Sequence, residues 1–411
     1  MVRSGYFHTP DDMITPEEAL TTVLENSTDF GTVEVALDKA THMVLRKPVR
    51  ADRAMPPFDR VTMDGIAIRY SETINEFVVR GTQTAGAKQM TLSQPGECIE
   101  VMTGAMLPEN ADTIIPYEEI VFSGEGAERK AMITGDDVKA GQHIHRKGED
   151  RRQEDVLLSP GTLLTPTEIS VAAAVGQPRL SVSRTPRVAI VSTGDELVDV
   201  YETPEDHQIR RSNVYALKAT LQRMNIHSDL FHYSDSKSKI RRGLEEAFQV
   251  TDVLVLSGGV SKGKKDFIPA VLEDLGVQKL FHRVRQKPGK PFWFGLHPDG
   301  KAVFALPGNP VSTFMCFHKY MKPWLMKSMQ QPLPEPAFAV LDKEVHFMRD
   351  LNYMMQVKLH TDNHGVVHAT PEEGNGSGDF ANLLQCDAFM ELLAGRNVYP
   401  AGEAHPVILY R

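Results

Sequence analysis

Cysteine is scarce. The chain carries three, Cys98, Cys316 and Cys386, far apart and in no metal-ligand spacing. That pattern argues against a disulfide framework and points to reduced, partly buried thiols in a reducing compartment. Basic charge is not in excess either. Lys and Arg number 45 against 54 Asp and Glu, a net charge of −9, so nothing global suggests a nucleic-acid partner. No apolar stretch is long enough to span a bilayer. No apolar run precedes Asp11 and Asp12, so no secretory signal is expected and the expected location is the cytoplasm. There is no internal repeat and no low-complexity tract.

What is present is a globular composition, 41% hydrophobic and 24% charged over 411 residues. That length exceeds one ordinary core, so several domains are expected. Thr15-Pro16-Glu17-Glu18 starts a helix with a capping box, and Thr165-Pro166-Thr167-Glu168 repeats the design before stopping at Gly176. The two helices are expected to pack together as a linker domain. Between them, short apolar runs broken by Gly and Pro predict strands at Phe77–Arg80, Glu97–Thr103 and Asp112–Pro116, a β-rich insertion.

From Arg187 the rhythm changes to strands alternating with helices. Buried-strand runs at Arg187–Ser192 and Asp252–Ser257, helices at Asn213–Met224, Lys237–Phe248 and Phe267–Leu275, and strands at His227–Tyr233, Pro291–Gly295 and Ala302–Leu306 predict a doubly wound parallel sheet. Pro310 opens a long amphipathic helix toward Pro323. A Pro-rich linker after Ser328 leads to a small C-terminal β domain. The expected boundaries are a discontinuous helical linker domain (1–46 and 141–178), the β-rich insertion (47–140), the α/β domain (179–329) and the C-terminal β domain (330–411).

Ligands of an open parallel sheet bind outside the carboxyl ends of its strands, and four such ends carry unusual loops. In Ser192-Thr193-Gly194-Asp195-Glu196-Leu197 the adjacent carboxylates either hold Mg²⁺ or cap a turn. In Ser257-Gly258-Gly259-Val260-Ser261 and the lysines that follow, glycines open backbone N–H groups to an anion, without Walker spacing. Lys287-Pro288-Gly289-Lys290-Pro291 holds two ammonium groups together, an arrangement an anion between them would relieve. Leu306-Pro307-Gly308-Asn309-Pro310-Val311-Ser312 places Asn309 at an N-cap, Pro310 in the first turn and a positive helix end beside an oxyanion. Met63-Asp64-Gly65, upstream, reads locally as an Asx-type turn.

Taken in order, Pro57-Phe58-Asp59 with Met63-Asp64-Gly65, Met102-Thr103-Gly104-Ala105, Gly148-Glu149-Asp150, the Ser192–Leu197 run, Ser257–Ser261, Lys287–Pro291 and Leu306–Ser312 resemble the molybdopterin molybdenumtransferase family, the bacterial MoeA proteins and the gephyrin E domain. The match runs from about Thr15 to the C-terminus. The resemblance implies a four-part subunit with a molybdopterin-binding α/β domain and an elongated homodimer whose composite active site draws on both chains. The implied reaction takes adenylylated molybdopterin and molybdate, releases AMP and yields molybdenum cofactor, with a divalent cation such as Mg²⁺.

By the same resemblance, Asp64 and Asp150 reach the cleft from the insertion and linker parts. Glu196, Asp235 and Asp266 are acids of the α/β site, with Glu196 and Asp266 as metal ligands. Lys287 and Lys290 act at the anion end. Gly258, Gly259, Ser261, Pro288, Gly308, Asn309, Pro310 and Ser312 bind substrate or anion, and Arg349 and Ser377 complete the oxyanion site from the C-terminal domain. Charge logic then sets molybdate at the lysines and the metal and adenylate at the acids.

The chain departs from the family pattern in two places. Lys264 stands where relatives carry glutamate, and Gln385-Cys386-Asp387 replaces Ala-Asn-Gly. Rival readings are a molybdopterin adenylyltransferase, a non-catalytic gephyrin-like scaffold and a tungstate-handling paralogue.

Overall fold

The computed structural model describes residues 13–260 and 267–411. Its centre is a six-stranded sheet in the order Ser228–Tyr233, Val188–Thr193, Val253–Ser257, Ala302–Leu306, Trp293–Leu296, Gln278–Phe281. The first four strands run parallel. The last two are antiparallel to their neighbours, so the sheet is mixed rather than wholly parallel. The reason is local: the connection from Leu296 to Ala302 is a tight turn closed by His297 N–H to Lys301 O at 2.9 Å, and so short a connection joins only antiparallel strands.

Buried-strand runs point alternate residues to opposite faces. Val188, Ile190, Val253, Val255, Phe304 and Leu306 enter one core with Val214, Leu217 and Leu221 of the helix Ser212–Arg223. Ala189, Val191, Leu254, Leu256, Val303 and Ala305 enter the other with the helices Lys237–Val250 and Ile268–Asp274. Both faces are therefore covered, which is the double winding that the alternation of elements predicts.

The helix opened by Pro310 does not stop at Pro323. It runs as α-helix over Pro310–Cys316, widens to a π-helix over Phe317–Met321, and resumes as α-helix over Lys322–Ser328. Proline lacks the N–H that an unbroken α-turn requires, and the π turn just before it absorbs the mismatch. All five π-helical residues are buried, so this stretch is enclosed by core rather than amphipathic.

His318 lies in that stretch, 5% exposed, with no hydrogen-bond partner for either ring nitrogen among the described residues. Phe314, Phe317 and Tyr410 surround its ring. Burial, with smaller contributions from Lys322 and Arg223, pushes its pKa down from 6.5 to about 3. The unfolded chain takes up this proton below pH 6.5 and the folded chain does not. Stability is therefore lost as pH falls from 6.5 toward 3, by roughly 1.4 kcal/mol per unit. His318→Phe removes the term, so its unfolding free energy between pH 6 and pH 4 should fall by about 2–3 kcal/mol less than that of the parent. Parallel denaturant titrations across that range measure the difference.

The capping boxes form at both expected helix starts, Thr15 with Glu18 and Thr165 with Glu168. The two helices do not pack together, however. Ala19 and Val23 of Pro16–Glu25 enter the α/β core beside Trp324, whereas Ala172 of Pro166–Ala174 belongs to a separate cluster with Ala40, Leu45, Val49 and Val182. Antiparallel strand pairs carry the linker instead: Thr32–Ala36 with Arg179–Ser183, and Val49–Arg50 with Val156–Leu158. The insertion is a six-stranded sheet containing Glu76–Gln83, Glu97–Val101 and Thr113–Pro116, with apolar clusters on both faces.

The C-terminal strands Asn352–Thr361, Val367–Pro371, Ala337–Leu341, Ala404–Leu409 and Ala388–Leu392 close into a barrel, because the first also pairs with the last. Gln286–Lys287 of the α/β domain adds in parallel to Asn352–Tyr353, which ties the lysine loop to the barrel. No helix among the described residues is long and apolar enough to cross a membrane.

Candidate active site

Four loops line up along the carboxyl edge of the central sheet. Glu196 follows the strand Val188–Thr193, Gly258–Gly259 follows Val253–Ser257, and Pro307–Ser312 follows Ala302–Leu306. The Lys287–Pro291 loop joins them because the next strand is antiparallel, so Trp293 starts opposite Ala305. Glu196 and the lysine loop are thus three strand spacings apart, about 14 Å at 4.8 Å per strand.

The loops and the barrel enclose a cavity of about 1540 Å³, larger than the ~300–1,000 Å³ of ordinary small-molecule sites. Glu196, Gly258, Gly259, Lys287, Pro288, Lys290, Gly308, Asn309, Pro310 and Ser312 all line it, and Arg349 and Ser377 line it from the C-terminal domain. Asp235 does not line it. Its backbone N–H instead donates to Asp195 Oδ1 at 3.1 Å, in the next loop. Ser261 and Asp266 fall outside the described residues, as does Lys264.

Each loop is held by a specific device. Gly194 sits at φ +139°, and a Cβ there would lie 2.5 Å from the Glu196 carboxylate, so glycine alone lets that carboxylate fold back beside the strand end. Beneath the lysine loop, buried Gln286 donates from Nε2 to Gly289 O at 3.0 Å and accepts from the Tyr320 hydroxyl of the π-helix. Lys287 and Lys290 are both exposed, so water screens their mutual repulsion and desolvation does not drive anion binding there. The Lys287 ammonium lies 5.6 Å from the Phe347 ring and 5.8 Å from that of Tyr353, which hold it over the barrel mouth.

Asn309 occupies the N-cap position, but its side chain makes no cap. Its Nδ2 donates to Ser377 Oγ at 2.7 Å, and the Val311 N–H donates to Ser377 O at 3.1 Å. One of the helix N–H groups expected to face an oxyanion is therefore used to clamp the C-terminal domain.

Several lining groups gave no sequence signal. Asn213 Nδ2 lies 3.0 Å from Ser257 Oγ, 2.7 Å from Gly308 O and 3.2 Å from Thr313 Oγ1, bracing two of the loops from beneath. Arg210 and Arg211 stand on the Glu196 side, with Arg211 paired to Asp199, so that end is not purely acidic. Glu372 and Glu373 add acid from the barrel. Local sequence shows each of these only as a polar residue near a turn.

Asp64 and Asp150 are elsewhere. Neither lines the cavity. Asp64 is exposed, and its Oδ1 accepts from the Thr103 N–H at 2.6 Å and the Thr103 hydroxyl at 2.7 Å. Those two donors hold its pKa below the usual carboxylate value. Asp150 Oδ1 lies 2.9 Å from His145 Nε2, and Arg60 donates to His145 Nδ1 at 2.9 Å. An arginine only donates, so Nδ1 accepts and Nε2–H donates to Asp150. Pairing of Arg60–Val61 with Ile144–His145 brings the two acid-bearing segments side by side. Within one chain, Asp64 and Asp150 thus stand on paired segments outside the cavity.

Three families cover the chain in succession: the MoeA N-terminal region (domains I and II) over residues 14–176, the probable molybdopterin binding domain over 189–327, and the MoeA C-terminal region (domain IV) over 339–410. The molybdopterin molybdenumtransferase of Synechocystis is 36% identical over 96% of this chain and 99% of its own length. That of Bacillus subtilis is 31% identical over 96% and 94%. The crystal structure of the molybdopterin biosynthesis MoeA protein of Pyrococcus horikoshii superposes with a TM-score of 0.82 at 28% identity, over 97% of this chain and 99% of that one. With relatives matched end to end, and with every one of the three regions in the same order, the chain belongs to the molybdopterin molybdenumtransferase family.

Proposed function

We propose that this enzyme of molybdenum cofactor biosynthesis binds adenylylated molybdopterin along the cavity, inserts molybdate into the pterin dithiolene and releases AMP. The observation that carries the reading is the alignment of Glu196, Gly258–Gly259, Pro307–Ser312 and Lys287–Lys290 along one sheet edge, with Glu196 and the two lysines three strands apart in a single cavity. Molybdate is a doubly charged oxyanion and takes the lysine side. The adenylate takes the Glu196 side, where Arg210 and Arg211 offer guanidinium groups to phosphate oxygens.

A divalent cation fits that side. Glu196 supplies a hard oxygen donor inside the cavity, and Mg²⁺ commonly takes only one or two carboxylates alongside phosphate oxygens. Glu196 and Asp266 would hold it. Bound there, it would offset phosphate charge during release of AMP.

Asp64 and Asp150 enter from a second subunit. They belong to the insertion and linker parts and do not line their own chain's cavity. A homodimer that docks the insertion of one subunit over the cavity of the other completes both sites at once. Asp64, kept ionised by Thr103, is then the carboxylate that meets the reacting end of the pterin, while Asp150 is oriented by His145. Asp235, outside the cavity, acts only through its contact with the Asp195 loop.

Lys290→Ala tests the molybdate end. Loss of one charge-assisted contact at an exposed position should raise the molybdate concentration for half-maximal rate about tenfold. The concentration dependence on adenylylated molybdopterin should shift much less. Steady-state rates over both substrates measure the two effects separately, and a variant that loses pterin affinity with its molybdate dependence intact would reverse the assignment of the two ends.

A further inference from the structure

The C-terminal barrel carries a second constellation that the cavity does not use. His360 and His368 are directly opposed on the antiparallel strands Asn352–Thr361 and Val367–Pro371. A cross-strand pair shares a face, and here the two imidazoles stack with centroids 5.3 Å apart at 21°. Both turn Nδ1 toward one carboxylate, that of Asp342, just past the strand Ala337–Leu341. His368 Nδ1 lies 3.1 Å from Asp342 Oδ1, and His360 Nδ1 lies 3.7 Å from Asp342 Oδ2. One ligand atom from each of the three residues falls within 4.8 Å of the others. Ligand atoms around a tetrahedral zinc are about 3.3 Å apart, given metal–ligand bonds near 2.0 Å, so small side-chain rotations suffice to close the set.

The surroundings match those of a metal site. His368 uses its other nitrogen, Nε2, toward Asp362 Oδ2 at 3.4 Å. Metal-binding histidines characteristically engage a carboxylate in this way, which fixes the tautomer and the ring orientation. Asp362 is itself fixed, accepting from the backbone N–H groups of His364 at 2.8 Å and Val366 at 2.9 Å in the hairpin turn. Asp342 is fixed by the Thr370 hydroxyl, which donates to Oδ2 at 2.6 Å. Its salt-bridge partners are the two histidines, with no lysine or arginine among the described residues within that range. The strand that lines the cavity at Tyr353 and Gln356 runs about 13 Å further before reaching His360, at 3.3 Å per residue.

We propose that Asp342, His360 and His368 bind one divalent first-row transition ion of the zinc class, with water in the remaining coordination position. Two imidazoles and one carboxylate suit Zn²⁺, Co²⁺, Ni²⁺ or Cu²⁺ and disfavour Mg²⁺, which demands an all-oxygen octahedron. The ion clips the end of the strand Ala337–Leu341 to the neighbouring hairpin. The site is independent of the substrate cavity, so its test does not depend on the reaction assigned there.

The experiment is calorimetric titration of the metal-free, full-length chain with Zn²⁺, repeated in the presence of excess Mg²⁺, for the parent, His360→Gln and Asp362→Asn. His360 has a half-exposed side chain, 53%, so its substitution leaves the barrel folded. The parent should bind one equivalent per chain that Mg²⁺ does not displace. His360→Gln should lose that equivalent, and Asp362→Asn should retain it with affinity lowered about 10- to 100-fold. Co²⁺ should give a ligand-field absorption in the parent that is missing in His360→Gln, while molybdenum insertion by His360→Gln stays at the parental rate. Equal stoichiometry and affinity in the parent and His360→Gln, or competition by Mg²⁺, would overturn the proposal.

Discussion

Asp64→Asn should lower the rate of molybdenum insertion by about 10²–10⁴-fold, the range for loss of a positioned acid–base group, while the fold stays intact. The side chain is exposed, so no core depends on it. Its two hydrogen bonds, from the N–H and hydroxyl of Thr103, end on one oxygen, which an asparagine amide supplies equally well. What the substitution removes is charge. The two Thr103 donors depress the Asp64 pKa, so the carboxylate is ionised through the neutral range and loses its charge only as pH falls through that lowered value. Rate measurements with saturating substrates, paired with a thermal melt, separate the two consequences. A variant with parental turnover would remove Asp64 from the mechanism.

At a molybdate concentration well below the half-maximal value of Lys290→Ala, mixed dimers should restore activity that both parent variants lack. Asp64→Asn disables the half of a site supplied by the insertion, and at such limiting molybdate Lys290→Ala impairs the cavity half. If each site combines the insertion of one subunit with the cavity of the other, a heterodimer of the two variants holds one site with both native residues and one with neither. Such a heterodimer should show about half the parental turnover, because symmetry makes the two sites equivalent in the parent. The reason to expect this is the separation within one chain: Lys290 lines the cavity and Asp64 does not. Differently tagged subunits, co-expressed and isolated by sequential affinity steps, provide the sample. A verified heterodimer with no activity beyond that of its parents would show that each site is built from one chain.

Much of this arrangement is legible from local chemistry. The runs Val188–Thr193 and Val253–Ser257 are apolar on both sides because helices cover both faces of the sheet, and that pattern alone places the loops that follow them at a ligand-binding edge. The capping boxes at Thr15 and Thr165 mark helix starts because their hydrogen bonds are made within four residues. Where a feature depends on contacts distant in sequence, the reading goes astray. The packing of Pro16–Glu25 on the α/β core is decided by Trp324 and its neighbours some 300 positions away, with Trp324 Nε1 donating to Asn26 O at 2.9 Å.

The same limit explains the site itself. Asn309 is well suited to cap the helix after it, yet Ser377 from another domain recruits its side chain. The fork from Asn213 to Ser257, Gly308 and Thr313 joins three segments that no spacing rule relates. Extension of the Pro310 helix beyond Pro323 requires the π turn, which has no compositional signature. The antiparallel edge of the central sheet follows from the short turn between Leu296 and Ala302, which the strand–helix alternation before it does not reveal.

Conversion of adenylylated molybdopterin and molybdate to molybdenum cofactor and AMP is the reaction proposed for the cavity. Its most direct test is reconstitution with the purified chain, the adenylylated pterin, molybdate and Mg²⁺. Cofactor is read by activation of a cofactor-free molybdoenzyme and AMP by chromatography. AMP and cofactor should appear together in equal amounts, and both should depend on molybdate. Consumption of ATP to adenylylate molybdopterin, or AMP release with no cofactor at any molybdate concentration, would contradict the account.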